Sequence, residues 1–233
     1  NPLTEVCDIR ALADIAHEAG ALLAVDNCFC TPALQQPIKL GADLIVHSGT
    51  KYLDGQGRVL AGAVCGTDAI VNGPLMAALR GGGMSLSPFN AWVLTKSLET
   101  MSMRVNRMAD SALEIATALE ALPEISKVVY PFLDSHPDSS LARRQMIKGG
   151  TTLALELKGG KSQVFDFMNR LEVIDISNNL GDSRSLITHP ASSTHRRLDA
   201  ATQAKMGITE STLRLSVGLE DPKDLITDLK LAL

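Results

Sequence analysis

The first part of the chain alternates between short apolar runs and amphipathic segments. Residues 8–19 place apolar side chains at helical spacing, and Asp8 and Gly20 are suitable residues to begin and end that helix. Apolar runs with the length of buried strands lie at 21–25, 42–47 and 59–65. Because such runs alternate with helical segments, they predict an α/β fold with a mostly parallel sheet covered by helices on both faces.

A long segment without glycine or proline follows, from Phe89 to Leu122. Ser87 and Pro88 precede it, and they are a favourable N-cap and a favourable first helical residue. The segment exceeds the length of an ordinary globular helix. We therefore expect either a helical spine between domains or a helix that is broken once.

The pattern changes after Pro123. Strand-like and helical pieces now alternate, with strands at 127–130, 151–157 and 213–217 and helices at 161–170 and 222–232. This order predicts a smaller α+β domain. The chain is thus expected to comprise a large α/β domain at 1–86, one or more connecting helices at 87–122, and a small domain at 123–233.

Composition narrows the classes of protein to consider. The 233 residues are 45% hydrophobic and 21% charged, which is typical of a globular protein. A net charge of −4 gives no reason to expect nucleic acid or a membrane surface as partner, and no apolar run could span a bilayer. The four cysteines include a Cys28–Cys30 pair without a second pair at zinc spacing. Reduced cysteines in a cytoplasmic protein are therefore favoured over disulfides or a metal site.

Lys51 is the strongest candidate for chemistry, because it follows the apolar run 42–47 with Ser48 and Thr50 beside it. Most lysines are solvated surface charges, but this one lies at the mouth of a predicted buried strand. Asp26 follows the preceding predicted strand in the same way, although alone it could be a turn residue. The carboxyl ends of parallel strands meet at one edge of a sheet. Together the two residues could hold the carbonyl carbon and the pyridine ring of pyridoxal phosphate (PLP), with Lys51 forming a Schiff base.

Three further features could bind a ligand. The hydroxyls of Ser48 and Thr50 could donate to a phosphate. Arg214 lies between two leucines in an apolar strand and needs an anion, either in a structural ion pair or in a substrate carboxylate. Residues 177–195 are too polar for a core element and predict a binding loop. Its histidines, at 189 and 195, are spaced poorly for zinc, so structural roles and no metal are expected.

In combination these residues resemble the Cys/Met-metabolism family of PLP enzymes, which includes cystathionine γ-synthases, cystathionine lyases, methionine γ-lyases and homoserine-ester sulfhydrylases. The blocks that carry the resemblance lie at 8–11, 24–27, 47–52, 87–89, 186–195 and 213–220. The resemblance implies an aspartate aminotransferase-like fold (fold type I). Residues 1–86 would be the C-terminal part of its large PLP-binding domain.

The resemblance also implies roles for single residues. Lys51 would be the Schiff-base lysine and Asp26 the partner of the pyridine nitrogen. The cofactor phosphate would be bound by Ser48 and Thr50. Asn1 is similar to the asparagine of the family's S-x-N-P segment, which lies near the cofactor. Arg214 would bind the substrate carboxylate.

Within the family, segment 178–182 is most similar to that of O-succinylhomoserine sulfhydrylases. Lyases and cystathionine synthases usually have serine where this chain has Asn179, which is expected to contact the substrate together with Arg214. The implied reaction converts O-succinylhomoserine and sulfide to homocysteine and succinate in methionine biosynthesis. The implied assembly is a homotetramer built from dimers.

Several alternatives remain open. A cystathionine γ-synthase would use cysteine as acceptor, and a γ-lyase would use none. Full-length members of the family have, before the position of Asn1, a phosphate-binding turn, an aromatic residue that stacks on the ring and a Tyr-x-Arg pair. We therefore expect this chain to be the C-terminal part of such an enzyme, and the chain alone could be a non-catalytic fragment. A Schiff-base aldolase without cofactor is disfavoured by Asp26 and by the hydroxyls beside Lys51.

Overall fold

The computed structural model describes residues 1–233. In chain order, a first sheet is followed by one long helix and then by a second sheet. The first sheet has the order β1-β2-β3, with β1 at Ala24–Asp26, β2 at Leu44–Ser48 and β3 at Gly62–Gly66. β1 and β2 are parallel, as predicted, and Asp26 lies opposite Val46. This pairing and the helices around it agree with the predicted α/β class.

The third strand runs in the opposite direction to the prediction, because β3 is antiparallel to β2. Residues 49–61 connect β2 to β3 without an α-helix that could carry the chain back across the sheet, and Gly55 and Gly57 in this connection have positive φ. A parallel pairing usually uses such a crossover helix. The first sheet is therefore mixed rather than wholly parallel.

Helices of the first part precede, separate and follow these strands along the chain. α1 (Ile9–Glu18) begins at the predicted cap, where the Asp8 carboxylate accepts the Ala11 N–H at 3.0 Å. α2 (Thr31–Leu34) lies between β1 and β2, and α3 (Asp68–Ile70) and α4 (Met76–Gly82) follow β3. α5 (Pro88–Glu120) is a single helix whose predicted N-cap, Ser87, accepts the Asn90 N–H at 3.2 Å. The spine is therefore not broken.

The second sheet has the order β4-β5-β8-β7-β6. Its strands are β4 (Ile125–Val129), β5 (Thr152–Leu157), β6 (Asp175–Ile176), β7 (Leu186–Thr188) and β8 (Thr212–Ser216). Neighbouring strands are antiparallel except β6 and β7. The prediction of a polar loop over 177–195 is wrong at β7, which is buried. The polar residues beside this strand made the segment look solvent-exposed in the sequence. In the structure Ser185 is buried, and its hydrogen bonds to Glu220 replace those it would otherwise make to water.

Four helices accompany this sheet: α6 (Ser139–Gln145), α7 (Lys161–Arg170), α8 (Ala200–Lys205) and α9 (Pro222–Ala232). The bounds of α7 and α9 match the sequence prediction. The larger core lies between the sheet and α5, α7 and α9. A smaller core comprises Leu34, Tyr52, Val105, Met108, Ala109 and Leu180. The division into domains at 86 and 122 stays a prediction.

None of the helices is both long enough and apolar enough to cross a membrane.

Candidate active site

Asp26 and Lys51 lie at the same edge of the first sheet. β1 ends at Asp26, and β2 ends at Ser48, directly before the turn Gly49–Leu53 that carries Lys51. Since β1 and β2 are parallel neighbours, their carboxyl ends are adjacent, where ligands commonly bind in such sheets. Asp26 is exposed, and its carboxylate accepts the Cys28 N–H at 2.9 Å. The carboxylate therefore remains accessible to a ligand.

The Lys51 ammonium is half-buried and donates a hydrogen bond to the side-chain oxygen of Asn179. Burial lowers the pKa of Lys51, the charge of Arg214 lowers it further, and Cys28 partly offsets the shift. A lysine with a lowered pKa has more neutral amine at a given pH. Lys51 is thus suited to act as nucleophile or base.

Asn179 connects Lys51 to Arg214. Its side chain binds Lys51, and its backbone carbonyl accepts the Arg214 Nη2–H at 3.1 Å. The carbonyl of Asn178 accepts from the same Nη2 at 2.9 Å, and the Asn1 side chain accepts from Arg214 Nη1 at 3.1 Å. The structure therefore brings four of the residues singled out in the sequence, Asn1, Lys51, Asn179 and Arg214, into one network.

Arg214 is a buried cation without an anion. Only 2% of its surface is exposed, it forms no ion pair with any carboxylate of the chain, and its Nε has no hydrogen-bond partner. Burial lowers the pKa of its guanidinium. An unpaired buried charge is unfavourable unless something else compensates it. Within this chain Arg214 therefore forms no structural ion pair, and binding of an anionic ligand stays a prediction.

The two hydroxyls beside Lys51 differ in availability. The Thr50 hydroxyl donates to the Ala61 carbonyl at 3.4 Å and accepts the Ala61 N–H at 3.1 Å. The Ser48 hydroxyl has no hydrogen-bond partner within the chain, while the Ser48 N–H donates to Cys28 Sγ at 2.7 Å. Ser48 is therefore free to bind a phosphate, whereas Thr50 must first exchange its contacts with Ala61.

Two residues that the sequence analysis missed hold the Lys51 turn in place. Arg104 is buried on α5 and donates to the carbonyls of Tyr52 and Leu53 at 3.1 and 3.4 Å. Gly181, at φ +80°, lies so close that a Cβ would be 2.7 Å from the Tyr52 nitrogen. The position of Arg104 beside the apolar stripe of a predicted helix could have indicated its structural role from the sequence. Nothing local indicates Gly181, because its neighbour lies far away in the chain.

A cavity of about 380 Å³ opens beside Asp26 and Asn1. A larger cavity, of about 800 Å³, lies along β4 and shares only Asn1 with the candidate site. The smaller cavity reaches the end of β1 at Asp26, and Lys51 is not among its lining residues. No group of three or more His, Cys, Asp or Glu side chains is placed to hold a metal ion.

The donors at this edge fit PLP. Lys51 has an amine for the aldehyde carbon, and Asp26 has an accessible carboxylate for the pyridine nitrogen. The unpartnered Ser48 hydroxyl can donate to the phosphate. The buried, unpaired Arg214 can receive the carboxylate of an amino-acid substrate. The role of each residue stays a prediction.

Comparison with known proteins finds relatives over the whole chain. The profile of the Cys/Met metabolism PLP-dependent enzymes matches residues 1–233. An O-succinylhomoserine sulfhydrylase from Pseudomonas aeruginosa is 49% identical over 98% of the chain and 57% of its own length. An L-methionine γ-lyase from Pseudomonas putida is 43% identical over 100% of the chain and 59% of its own length.

The fold agrees with these matches. A crystal structure of cystathionine γ-synthase from Xanthomonas oryzae pv. oryzae, in complex with aminoacrylate and cysteine, aligns with a TM-score of 0.96 and 38% identity. That alignment covers 100% of the chain and 60% of the crystallised protein. The chain thus spans less than two thirds of the length of each of these relatives.

Proposed function

The chain belongs to the Cys/Met metabolism family of PLP-dependent enzymes, and we propose that the intact protein is an O-succinylhomoserine sulfhydrylase. It would convert O-succinylhomoserine and sulfide to homocysteine and succinate. The observation that carries this proposal is the Lys51–Asn179–Arg214 network, in which an asparagine links the reactive amine to the buried cation. Identity of 49% to a sulfhydrylase, against 43% to a γ-lyase, supports the same choice.

The residues of the chain can hold the cofactor at both ends. Lys51 would bind its aldehyde carbon, and Asp26 would pair with the pyridine nitrogen and keep it protonated. The hydroxyls of Ser48 and Thr50 would donate to the phosphate. When bound, PLP supplies an electron sink for negative charge that develops at the substrate Cα.

The same residues can orient the substrate and move its protons. Arg214 would bind the α-carboxylate through its unpartnered Nε and through a terminal nitrogen that first exchanges a contact with residue 1, 178 or 179 for the ligand. The Lys51 amine would remove the proton from Cα and carry protons between Cα and Cβ. Its lowered pKa favours the neutral amine that this step requires. Succinate would leave from Cγ, and sulfide would add to the same carbon.

We also propose a cytoplasmic homotetramer for the intact protein. Phe89 and Trp92 support the assembly, because they are 68% and 59% exposed and their ring centroids lie 6.0 Å apart at the start of α5. Neighbouring large apolar side chains at a surface commonly mark an interface. Sedimentation of the full-length protein tests the oligomeric state, and a monomer at micromolar concentration would contradict it.

The second candidate is a related reaction. Cystathionine γ-synthase would use cysteine instead of sulfide, and a γ-lyase would release the product of elimination without an acceptor. The 43% identity to a methionine γ-lyase favours testing the latter. The decisive assay supplies the full-length protein with O-succinylhomoserine and, in separate reactions, sulfide, cysteine or no acceptor. Homocysteine formed mainly with sulfide supports the proposal; faster turnover with cysteine, or turnover that needs no acceptor, overturns it.

The candidate of another class is that this chain alone does not catalyse the reaction. Adding PLP to residues 1–233, followed by borohydride reduction and mass spectrometry, separates the cases. A reduced adduct on Lys51 shows that the chain itself binds the cofactor. An adduct found only in the full-length protein shows that the chain is a non-catalytic part.

A further inference from the structure

The buried side chain of Arg104 extends from α5 to the turn that carries Lys51. Its Nη1 donates to the carbonyl of Tyr52 at 3.1 Å, and its Nη2 donates to the carbonyl of Leu53 at 3.4 Å. Neither carbonyl accepts a hydrogen bond from any other group of the chain. The two residues that follow Lys51 therefore depend on this one guanidinium for the hydrogen bonds of their carbonyls.

The guanidinium is itself held in place by groups around it. On α5, its Nε donates to the Thr100 hydroxyl at 3.2 Å, and its Nη2 donates to the Ser97 carbonyl at 3.1 Å. Gly55 lies against the guanidinium, where a Cβ would overlap Arg104 Nη1. The side chain thus has little free space in which to adopt another position.

A second close approach fixes the backbone at Lys51 itself. Lys51 departs from helical geometry within the turn Gly49–Leu53, with φ −92° and ψ −127°. A Cβ at Gly181 would be 3.2 Å from Lys51 Cα and 2.7 Å from the Tyr52 nitrogen. Because lysine has a flexible four-carbon stem, the place its amine can reach depends on where the backbone directs that stem.

We propose that Arg104 is a positioning residue for the Lys51 amine, because it holds the carbonyls of Tyr52 and Leu53 and so fixes the direction in which the Lys51 side chain leaves the turn. The consequence for turnover rests on the proposed function. The effect on the amine itself does not depend on it.

The chemistry of arginine suits this task. All its acceptors are uncharged oxygens, those of residues 52, 53, 97 and 100. Burial lowers the pKa of the Arg104 guanidinium, the charge of Asp54 opposes this shift, and Arg58 adds to it. Arginine nevertheless stays protonated, and its planar guanidinium presents N–H groups in fixed directions, which an ammonium does not. Lysine at this position is therefore expected to keep the charge and to lose the paired contacts.

The first experiment measures the Lys51 amine in the full-length protein without cofactor. Amines are labelled with acetic anhydride over a range of pH and quantified by peptide mass spectrometry, with the exposed Lys39 as internal reference. Burial is the main cause of the lowered pKa of Lys51, so the labelling midpoint in Arg104→Met is expected to move up toward that of Lys39. Arg214 and Cys28, which also act on this amine, are unchanged in the variant.

Asp228→Ala is the matched control for a general loss of stability. This buried carboxylate on α9 accepts the N–H groups of residues 172, 173 and 174, which lie outside the Lys51 turn. The Lys51 midpoint should therefore stay in place when Asp228 is replaced. A midpoint that is unchanged in Arg104→Met, or that moves equally in both variants, would overturn the positioning role.

The second experiment compares the steady-state kinetics of Arg104→Met and Arg104→Lys in the full-length protein, with the acceptor that supports turnover. In Arg104→Met, kcat is expected to fall about a hundredfold, as for a reacting group misplaced by about 1 Å. The KM for the amino-acid substrate is expected to change less than about threefold, since Arg214 is unaltered.

Arg104→Lys keeps the cation in a side chain of similar length, and it carries the test if Arg104→Met does not fold. Its kcat is expected to fall about tenfold, as for one lost hydrogen bond to a charged group, and its labelling midpoint should move in the same direction. A rise in KM at unchanged kcat would show that Arg104 affects substrate binding instead, and it would overturn the inference.

The two proposals fail separately, because the labelling needs neither cofactor nor substrate. If the Lys51 midpoint moves as expected but sulfide is not an acceptor, the proposed reaction is wrong and the role of Arg104 stands. If sulfide is an acceptor but the midpoint does not move, only the inference about Arg104 is overturned.

Discussion

The side-chain oxygen of Asn179 accepts a hydrogen bond from the Lys51 ammonium, although 128 positions separate the two residues in the chain. The contact joins the second sheet to the turn that follows β2. It also places an uncharged acceptor next to the reactive amine, where a carboxylate would have raised the pKa of Lys51. The loop that carries Asn179 is thus part of the site rather than its surroundings.

Replacing Asn179 tests this contact. Asn179→Ala removes the acceptor, so kcat is expected to fall about tenfold or more, as for one hydrogen bond to a charged group. Asn179→Ser keeps an acceptor and is expected to lose less activity and to increase the share of elimination relative to sulfide-dependent replacement. Steady-state kinetics with and without sulfide measure both effects. Asn169→Ala on α7, an exposed position, is the matched control, and an active Asn179→Ala enzyme with unchanged kcat would contradict the prediction.

Lys51→Ala removes the only amine proposed to act on the substrate. Turnover is expected to become undetectable, and the visible absorbance of bound cofactor and the reducible lysine adduct are expected to disappear with it. Lys39→Ala, at an exposed lysine in the turn Pro37–Leu40, should retain both. Measurable turnover by Lys51→Ala would refute the assignment.

Arg214→Met separates binding from folding. The KM for the amino-acid substrate is expected to rise about a hundredfold, because a charge-assisted bidentate contact to the carboxylate is lost. The free energy of unfolding is expected to fall by no more than about 3 kcal/mol, since removal of the unpaired buried charge offsets part of the cost of leaving the acceptors of residues 1, 178 and 179 without a donor. Kinetics and urea unfolding measure the two effects. Arg170→Met, at an exposed position, is the control, and an unchanged KM in Arg214→Met would show that the carboxylate binds elsewhere.

Histidines set the stability of the protein in mild acid. Burial lowers the pKa of His47, His136, His189 and His195. Because the unfolded chain then binds more protons, the free energy of unfolding falls as pH drops from about 6.5 through the lowered pKa values, by at most about 1.4 kcal/mol per pH unit for each group. Urea unfolding at pH 7.5, 6.5 and 5.5 measures the slope. His189→Gln, which can keep the hydrogen bonds to Ser192 and Glu210, should flatten it. A slope that does not change contradicts the prediction for His189.

Asp228 on α9 is a stability determinant distant from the site. Its carboxylate is buried and accepts three backbone N–H groups, those of residues 172, 173 and 174, at 2.8 to 3.1 Å. Asp228→Ala leaves these donors without partners, and it is expected to lower the free energy of unfolding by about 3 kcal/mol. Asp166→Ala, at an exposed position of α7, should lower it far less. Equal losses in denaturant unfolding would contradict the special role of Asp228.

Local signals in the sequence predicted where helices and strands lie better than they predicted how the strands pair. Asp221 and Pro222 begin α9 where capping chemistry expects it, with the carboxylate accepting the Lys223 N–H at 2.8 Å. The direction of β3 could not be deduced in this way, because an apolar run does not indicate which neighbour it pairs with. The burial of β7 could not be deduced for a related reason. The polar residue beside it, Ser185, forms hydrogen bonds with Glu220, which is distant in the chain.

In the candidate site, too, residues with a local sequence signal could be predicted, and residues whose role depends on distant contacts could not. Lys51 and Asp26 could be proposed because each follows a recognisable strand. For Arg214 the sequence left two alternatives, and the choice depends on whether any carboxylate approaches it in space. Gly181 carries no local signal for its role, because its close neighbour Tyr52 lies in another segment.

The long helix α5 contributes to both hydrophobic cores. Val105, Met108 and Ala109 pack in the smaller one, and Ala112, Ile115, Ala116 and Leu119 pack in the larger one. The two groups of side chains follow one another along α5. If one hydrophobic core loses its packing, part of α5 unfolds, and this destabilises the other core as well. Heat should therefore melt both halves in one cooperative transition rather than in two separate steps.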